Sequence, residues 1–171
     1  MGTEIGEPLF GDGQKLELPG ESDSRRVREQ LGFVRKLVRE RYRVELTATD
    51  GDLAIIQRIL DDGVFNKTQT YELQSLGLAF GEAIRGKLGL DWVVVEDIYG
   101  RDPALQFRQS AITVFPLTMI SKRVEDGKKV DLENIALGIQ DLIDEHKDNA
   151  DSSQVGHDTT WKKLRRKLPF R

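Results

Sequence analysis

Four acidic side chains near a predicted sheet are the residues of this chain best suited to acid–base chemistry. Asp91, Glu96, Asp97 and Asp102 fall within 12 positions, and two well-placed carboxylates are enough for general acid–base catalysis. Acidic residues are equally common at strand ends and turns, where they are solvated or bond to the backbone. The sequence therefore leaves a carboxylate-based enzyme open as an alternative, without a catalytic residue to assign.

Other residue types that support catalysis or metal binding are scarce. The chain contains no cysteine, which excludes a disulfide, a thiolate metal site and a cysteine nucleophile. Its two histidines, His146 and His157, do not have the spacing of metal ligands, and the Gly-x-Ser-x-Gly turn of serine hydrolases is missing. We therefore expect no cofactor and no metal site, and we favour a non-enzymatic protein.

Charge is segregated along the chain, although the net charge is only -3. Residues 1–23 carry -5, residues 24–44 carry +6, residues 45–157 carry -9 and residues 158–171 carry +5. An acidic body of this kind does not favour nucleic acid as a partner, although the basic face of the first helix keeps that alternative open. Apolar runs of about four or five residues, far below the roughly 20 that a membrane-spanning helix needs, predict no membrane span.

Apolar residues at three- and four-residue spacing predict three helices before the sheet. These run from Ser22 or Asp23 to near Val44, from Thr49 or Asp50 to Gly63, and from Asn66 or Thr68 to Gly89. Gly77 and Gly81 lie inside the third helix, where each glycine costs about 1 kcal/mol relative to alanine. We interpret this pair as a place where another element packs closely against the helix.

After the third predicted helix, the spacing of apolar residues changes from three or four to two, which is typical of strands. Residues 92–95, 104–108 and 111–115 predict a three-stranded antiparallel sheet, and the first of these strands is expected to be buried on both faces. Two further helices are predicted, one opening at Pro116 and one capped by Asp131. The expected fold class is therefore α+β, with three N-terminal helices, a small antiparallel three-stranded sheet and two further helices.

The predicted organisation has three parts. Residues 1–21 form a flexible arm, residues 22–147 a single α+β domain, and residues 148–171 a polar linker with a short basic C-terminal helix. Trp161, Leu164 and Leu168 mark the apolar side of that helix. Such a segment either docks on the acidic body of the same protein or binds another surface, and both interpretations stay open.

An ordered series of short motifs over residues 73–127 resembles a known family. It reads Leu-x-x-Leu-Gly-x-x-x-Gly, Asp-Trp-Val-Val-Val, Tyr-Gly-Arg-Asp-Pro and Val-Phe-Pro-Leu-Thr-Met-Ile-Ser-Lys-Arg-Val-Glu-Asp-Gly. The series is similar to a family of small, mostly bacterial domains of unknown function. The resemblance implies no activity and no catalytic residues. It implies a link to small α+β proteins that include proposed immunity proteins of bacterial toxin systems.

We therefore expect a cytoplasmic, non-enzymatic protein-interaction domain whose partner is another protein. The alternatives are a small-molecule-binding protein or carboxylate-based enzyme, and a nucleic-acid-binding accessory protein. Turn residues on a rigid scaffold are frequent recognition sites, and tyrosine and arginine often anchor protein interfaces. The predicted binding residues are Tyr99, Arg101, Asp102, Lys122 and Arg123.

Overall fold

Five α-helices and a four-stranded antiparallel sheet form the described part of the chain, which confirms the α+β class. The computed structural model describes residues 14–98 and 100–152, with side chains through residue 148. A single 3-10 turn, Asp50–Asp52, precedes the second helix. The elements are β1 (Lys15–Glu17), α1 (Glu21–Tyr42), α2 (Leu53–Asp61), α3 (Thr70–Leu88), β2 (Leu90–Asp97), β3 (Gly100–Phe107), β4 (Thr113–Val114), α4 (Pro116–Glu125) and α5 (Leu132–Ser152).

The sheet differs in detail from the prediction of three strands, because an additional strand opens the described chain. Strand β1 falls in the segment predicted to be an arm, and it pairs with β2 so that Leu16 lies opposite Val95. Three residues are too few to reveal an alternating pattern in the sequence. The three predicted helices consequently follow β1, and the division of the chain into arm, domain and C-terminal segment stays a prediction.

The sheet has the order β1-β2-β3-β4, with β2 and β3 paired along their whole length. Their register places Trp92 opposite Leu105 and Val93 opposite Ala104. Val93, Val94 and Val95 are all buried, which confirms that this strand is covered on both faces. The last strand is shorter than predicted, because positive φ angles at residues 108 and 109 turn the chain before it.

Helix α3 is the central element of the main core. Leu76, Phe80 and Ile84 are fully buried on its predicted apolar stripe, and the helix contacts α1, α2, α4, α5 and the sheet. Gly89 ends it with a φ of 64°, a left-handed conformation that glycine adopts without steric cost. The prediction of this helix and of its terminating glycine is confirmed.

Two of the glycines inside α3, Gly77 and Gly81, allow α4 to pack directly against it. A Cβ atom at Gly77 would overlap the carbonyl oxygen of Pro116, and one at Gly81 would lie 2.7 Å from the Cγ atom of Pro116. This close approach confirms the packing interpretation of the glycine pair. It also fixes the position of α4 and of the basic residues in its last turn.

Helix α5 begins where the sequence predicts and extends to Ser152, beyond the predicted end of the domain. Among the described residues, no helix is both long enough and apolar enough to span a membrane.

Candidate functional site

Arg101, one of the predicted binding residues, joins four elements of the fold. Its guanidinium group donates to the carboxylate of Asp23 at 2.9 Å, to Glu96 at 3.1 Å and to Glu17 at 2.5 Å. These partners lie on α1, β2 and β1, and Arg101 itself lies on β3. The hydrogen bond from Arg101 lowers the pKa of Asp23 below its ordinary value. The observed contacts of Arg101 therefore hold the end of the sheet against α1.

Asp102 also bonds within the fold. Its carboxylate lies 3.7 Å from the guanidinium of Arg26 on α1, and Arg26 also donates to the carbonyl oxygen of Arg101 at 3.4 Å. The side chains of both ion-pair partners are about half exposed, so water screens their attraction and the pair contributes little free energy. This pair extends the contact between β3 and α1.

The other two described residues of the predicted site lie in the last turn of α4. Arg123 donates to the carbonyl oxygen of Met119 at 2.7 Å, and burial lowers the pKa of its guanidinium, which still remains charged at neutral pH. Lys122 is half-buried beside it. Tyr99, the remaining member, lies outside the described residues. The observed contacts thus place Arg101 and Asp102 against α1, and a hydrogen bond joins Arg123 to Met119 of its own helix.

The acidic residues near the sheet are spread over its surface. Glu96 bonds to Arg101, and Asp97 accepts a hydrogen bond from Gln14 at 3.2 Å. Asp91 is exposed at the other end of β2. Across residues 14–98 and 100–148, no cluster of three or more His, Asp or Glu side chains could hold a metal ion.

A groove that the sequence analysis missed lies between α2, α3 and α5. It is open to solvent and has a volume of about 380 Å³. Its apolar surface comes from Leu53 and Ala54 of α2, Ile84 and Leu88 of α3, and Ala136 and Leu137 of α5. Leu137 is 62% exposed at its wall. Leu137 lies on a face of α5 with the polar residues Glu133 and Gln140, so no apolar stripe in the sequence signals the groove.

A polar rim borders this apolar surface. The ammonium group of Lys87 lies 2.8 Å from the carboxylate of Asp50, and this hydrogen bond lowers the pKa of Asp50. Glu133 and Gln140 line the opposite side of the groove. The arrangement can accept an apolar side chain and present charged groups around it.

Gln57 fixes the position of the groove wall. Its amide group donates to the carbonyl oxygen of Val130 at 3.1 Å and accepts from the backbone N–H of Leu132 at 3.0 Å. These bonds tie α2 to the first turn of α5. These bonds therefore hold the start of α5, and with it the residues of α5 that line the groove, in place.

Comparison with solved structures shows that this fold occurs elsewhere. A crystal structure of a protein from Bacteroides thetaiotaomicron VPI-5482 is similar to this chain, with a TM-score of 0.68 and 20% sequence identity. The similarity covers 79% of this chain and 49% of that chain, so this protein spans about half the length of the Bacteroides protein. No curated protein matches the chain.

A family model also matches the middle of the chain. The matched residues include α2, α3, strands β2 to β4, α4 and the first residues of α5. They therefore contain most of the groove, whereas α1 and the greater part of α5 lie outside them. The match confirms the expectation of an uncharacterised domain family: residues 52–135 correspond to the family described as Domain of unknown function (DUF3806).

Proposed function

We propose that this chain is a non-enzymatic protein-interaction domain, and that the groove between α2, α3 and α5 receives an apolar side chain of its partner. The observation that supports the proposal is Leu137, a leucine 62% exposed at the wall of an apolar cavity. Covering one leucine side chain contributes about 1.5–3 kcal/mol. An apolar centre surrounded by a polar rim is the usual composition of a binding surface.

Charge around the groove suggests what kind of partner it would attract. The charged side chains that line the groove, Asp50, Glu133 and Lys87, sum to -1, and they belong to a segment, residues 45–157, whose charges sum to -9. Such a surface speeds the approach of a basic partner and disfavours an acidic one. The proposed partner is therefore a protein that presents a large apolar side chain within a basic surface. A role like that of the proposed immunity proteins would be one case of this function.

The predicted binding residues are an alternative proposal for the same function. Tyr99, Arg101, Asp102, Lys122 and Arg123 stay a prediction, although the ion pairs of Arg101 and Asp102 within the fold favour the groove instead. The test of those residues uses Tyr99 and Arg123, because a substitution of Arg101 would also break its bonds to three carboxylates.

A small-molecule ligand is a second candidate function, because the cavity volume of about 380 Å³ is within the range of ligand sites. It predicts that an apolar compound of modest size raises the melting temperature of the purified protein. The same compound should have no effect on a Leu137→Asp variant.

The protein-interaction proposal is tested by comparing the wild-type chain with Leu137→Asp. Both proteins are used as bait in an extract of the source organism, and a protein retained only by the wild type is then purified and its affinity measured by calorimetry. We expect Leu137→Asp to weaken binding by at least about tenfold, which corresponds to about 1.4 kcal/mol. Leu18→Asp is the matched control, because Leu18 is 78% exposed and lies outside the groove.

Two outcomes would contradict the assignment of the groove. Equal affinity of the wild type and Leu137→Asp would remove the groove from the binding site. If affinity were instead lost in the Tyr99→Ala, Arg123→Glu double variant, the originally predicted surface would be the binding site. Circular dichroism of each variant verifies that the fold is intact.

A further inference from the structure

The sheet has a second apolar face, on the side opposite α3. Val93 and Val95 of β2 and Ala104 of β3 form a cluster there, flanked by Leu16 of β1 and Phe115. The first face carries Leu90, Trp92, Leu105 and Phe107, which belong to the main core under α3. We call the cluster of Val93, Val95 and Ala104, with its two flanking residues, the second sheet face.

The second sheet face is covered, yet the described helices do not cover it. Val93, Val95 and Ala104 are only 6%, 3% and 0% exposed. Within residues 14–98 and 100–148, the cluster includes no side chain from any helix. One face of an antiparallel sheet is commonly left to water, and its side chains are then polar. Valine and alanine on a sheet face favour a covering layer, because their exposure to water is unfavourable.

Carboxylates surround this apolar cluster. Strand alternation places Asp91, Asp97 and Asp102 on the same side of the sheet as Val93. Asp97 accepts a hydrogen bond from Gln14 and Asp102 pairs with Arg26, whereas Asp91 is exposed. Thr113 pairs with Gln106 on this side. The buried hydroxyl oxygen of Thr113 has no hydrogen-bond partner in the part of the chain that the structure describes. The face therefore suits an occupant that is apolar on one side, basic on the other and able to donate a hydrogen bond.

Charge distinguishes the two chain ends as occupants. Residues 1–13 carry three acidic and no basic side chains, whereas residues 161–171 carry six basic and no acidic side chains. An acidic segment would be repelled by the carboxylates of the face, and a basic one attracted. Trp161, Leu164 and Leu168 are spaced to form one side of a helix.

We infer that the basic C-terminal segment, residues 161–171, docks on the second sheet face with Trp161, Leu164 and Leu168 against Val93 and Val95. Its basic residues then approach the carboxylates at the border of the face. Docking would add a third layer to the fold, on the side of the sheet away from α3 and its groove.

The lengths of chain and sheet permit this arrangement. Eight residues separate Ser152, at the end of α5, from Trp161, and the nine Cα–Cα steps between the two span up to about 30 Å when extended. A helix over residues 161–168, which ends before Pro169, would be about 12 Å long. Four strands at about 4.8 Å spacing have a comparable width.

Spin-label distances test the inference in the full-length chain, which has no native cysteine. Labels are placed at Leu18→Cys, beside β1, and at Arg166→Cys, on the basic side of the segment. Docking predicts a narrow distance distribution. We expect Leu164→Ser combined with Leu168→Ser to broaden this distance distribution. The control is Val44→Ser, which removes an exposed apolar residue from the loop after α1 and should leave the distribution narrow.

The alternative occupants give different results. A broad distribution in the parent protein would overturn the inference, as would a narrow distribution that persists in the double serine variant. If dilution with unlabelled protein removes the short distance, a second copy of the chain occupies the face instead. Hydrogen exchange of the unmodified protein is an independent measurement: a docked segment exchanges slowly at residues 161–168, and rapid exchange there would overturn the inference even if the variants failed to fold.

Discussion

The contact between α3 and α4 predicts opposite effects of the same substitution at three positions of one helix. Gly77, Gly81 and Gly86 all lie within α3. Replacing a helical glycine by alanine stabilises a helix by about 0.8–1.0 kcal/mol when the new methyl group meets nothing. Gly86 is such a position, because a Cβ atom there would have no neighbour within 4 Å. We expect Gly86→Ala to raise the free energy of unfolding by about that amount.

At Gly77 and Gly81 the new methyl group meets α4. At Gly77 it would overlap the backbone carbonyl of Pro116, which can move only if the whole start of α4 moves. At Gly81 it would lie 2.7 Å and 2.9 Å from two ring atoms of Pro116. Overpacking costs about 1–3 kcal/mol. After subtracting the gain in helix propensity, we expect net losses of about 2 kcal/mol for Gly77→Ala and about 1 kcal/mol for Gly81→Ala.

Thermal unfolding of the three single variants measures these differences. For a protein of this size, 1 kcal/mol corresponds to about 2–4 °C in Tm. Gly77→Ala should therefore melt about 4–8 °C below the wild type, Gly81→Ala slightly below it and Gly86→Ala slightly above it. If Gly77→Ala were as stable as Gly86→Ala, the two helices would not be in close contact, and the packing explanation for the glycines would be wrong.

Two further predictions concern polar side chains that join distant elements. Arg101→Gln should lower the free energy of unfolding by about 1–2 kcal/mol, whereas Arg28→Gln, whose pair with Glu21 is largely exposed, should change it by less than about 0.5 kcal/mol. Arg101 lowers the pKa of Asp23 in the folded protein. The stabilisation from this pair is therefore present above pH 3.8, the ordinary pKa of the carboxyl group, and is lost as the pH falls through the lower pKa of the folded state. The difference in the free energy of unfolding between wild type and Arg101→Gln, measured by urea titration, should therefore become smaller as the pH is lowered. A difference that does not change with pH would refute the role of this pair. Gln57→Leu should cost about 1–3 kcal/mol, because the N–H of Leu132 and the carbonyl of Val130 both lose their partner. Gln140→Leu, which loses only an exposed bond to Asp144, is its control, and equal melting temperatures of the two variants would contradict this prediction.

Local patterns were sufficient to predict the long helices and the paired strands. Helix α3 carries five apolar residues at helical spacing and ends at a glycine, so its identity depends on neighbours a few positions away. The same is true of β2, whose valines have the composition of a strand covered on both faces. Strand β1 could not be predicted, because Leu16 between Lys15 and Glu17 becomes a strand only by pairing with Val95.

The roles of individual polar residues required the tertiary structure. Arg101 appears in the sequence as a turn residue suited to recognition, yet its guanidinium bonds to carboxylates five to 84 positions away. Such partners are set by the packing of β1 and α1 against the sheet. The exposure of Leu137 likewise depends on how α5 crosses α2 and α3, which leaves one side of the helix uncovered.

The sequence by itself determined the fold class, most helix and strand positions and the purpose of the glycine pair in α3, because each follows from spacing and steric properties over a few residues. Only the tertiary structure decided which charged residues are bound within the fold, where a groove opens and which sheet face lacks a described covering layer. Those features depend on contacts between residues far apart in the chain, and no local pattern encodes them.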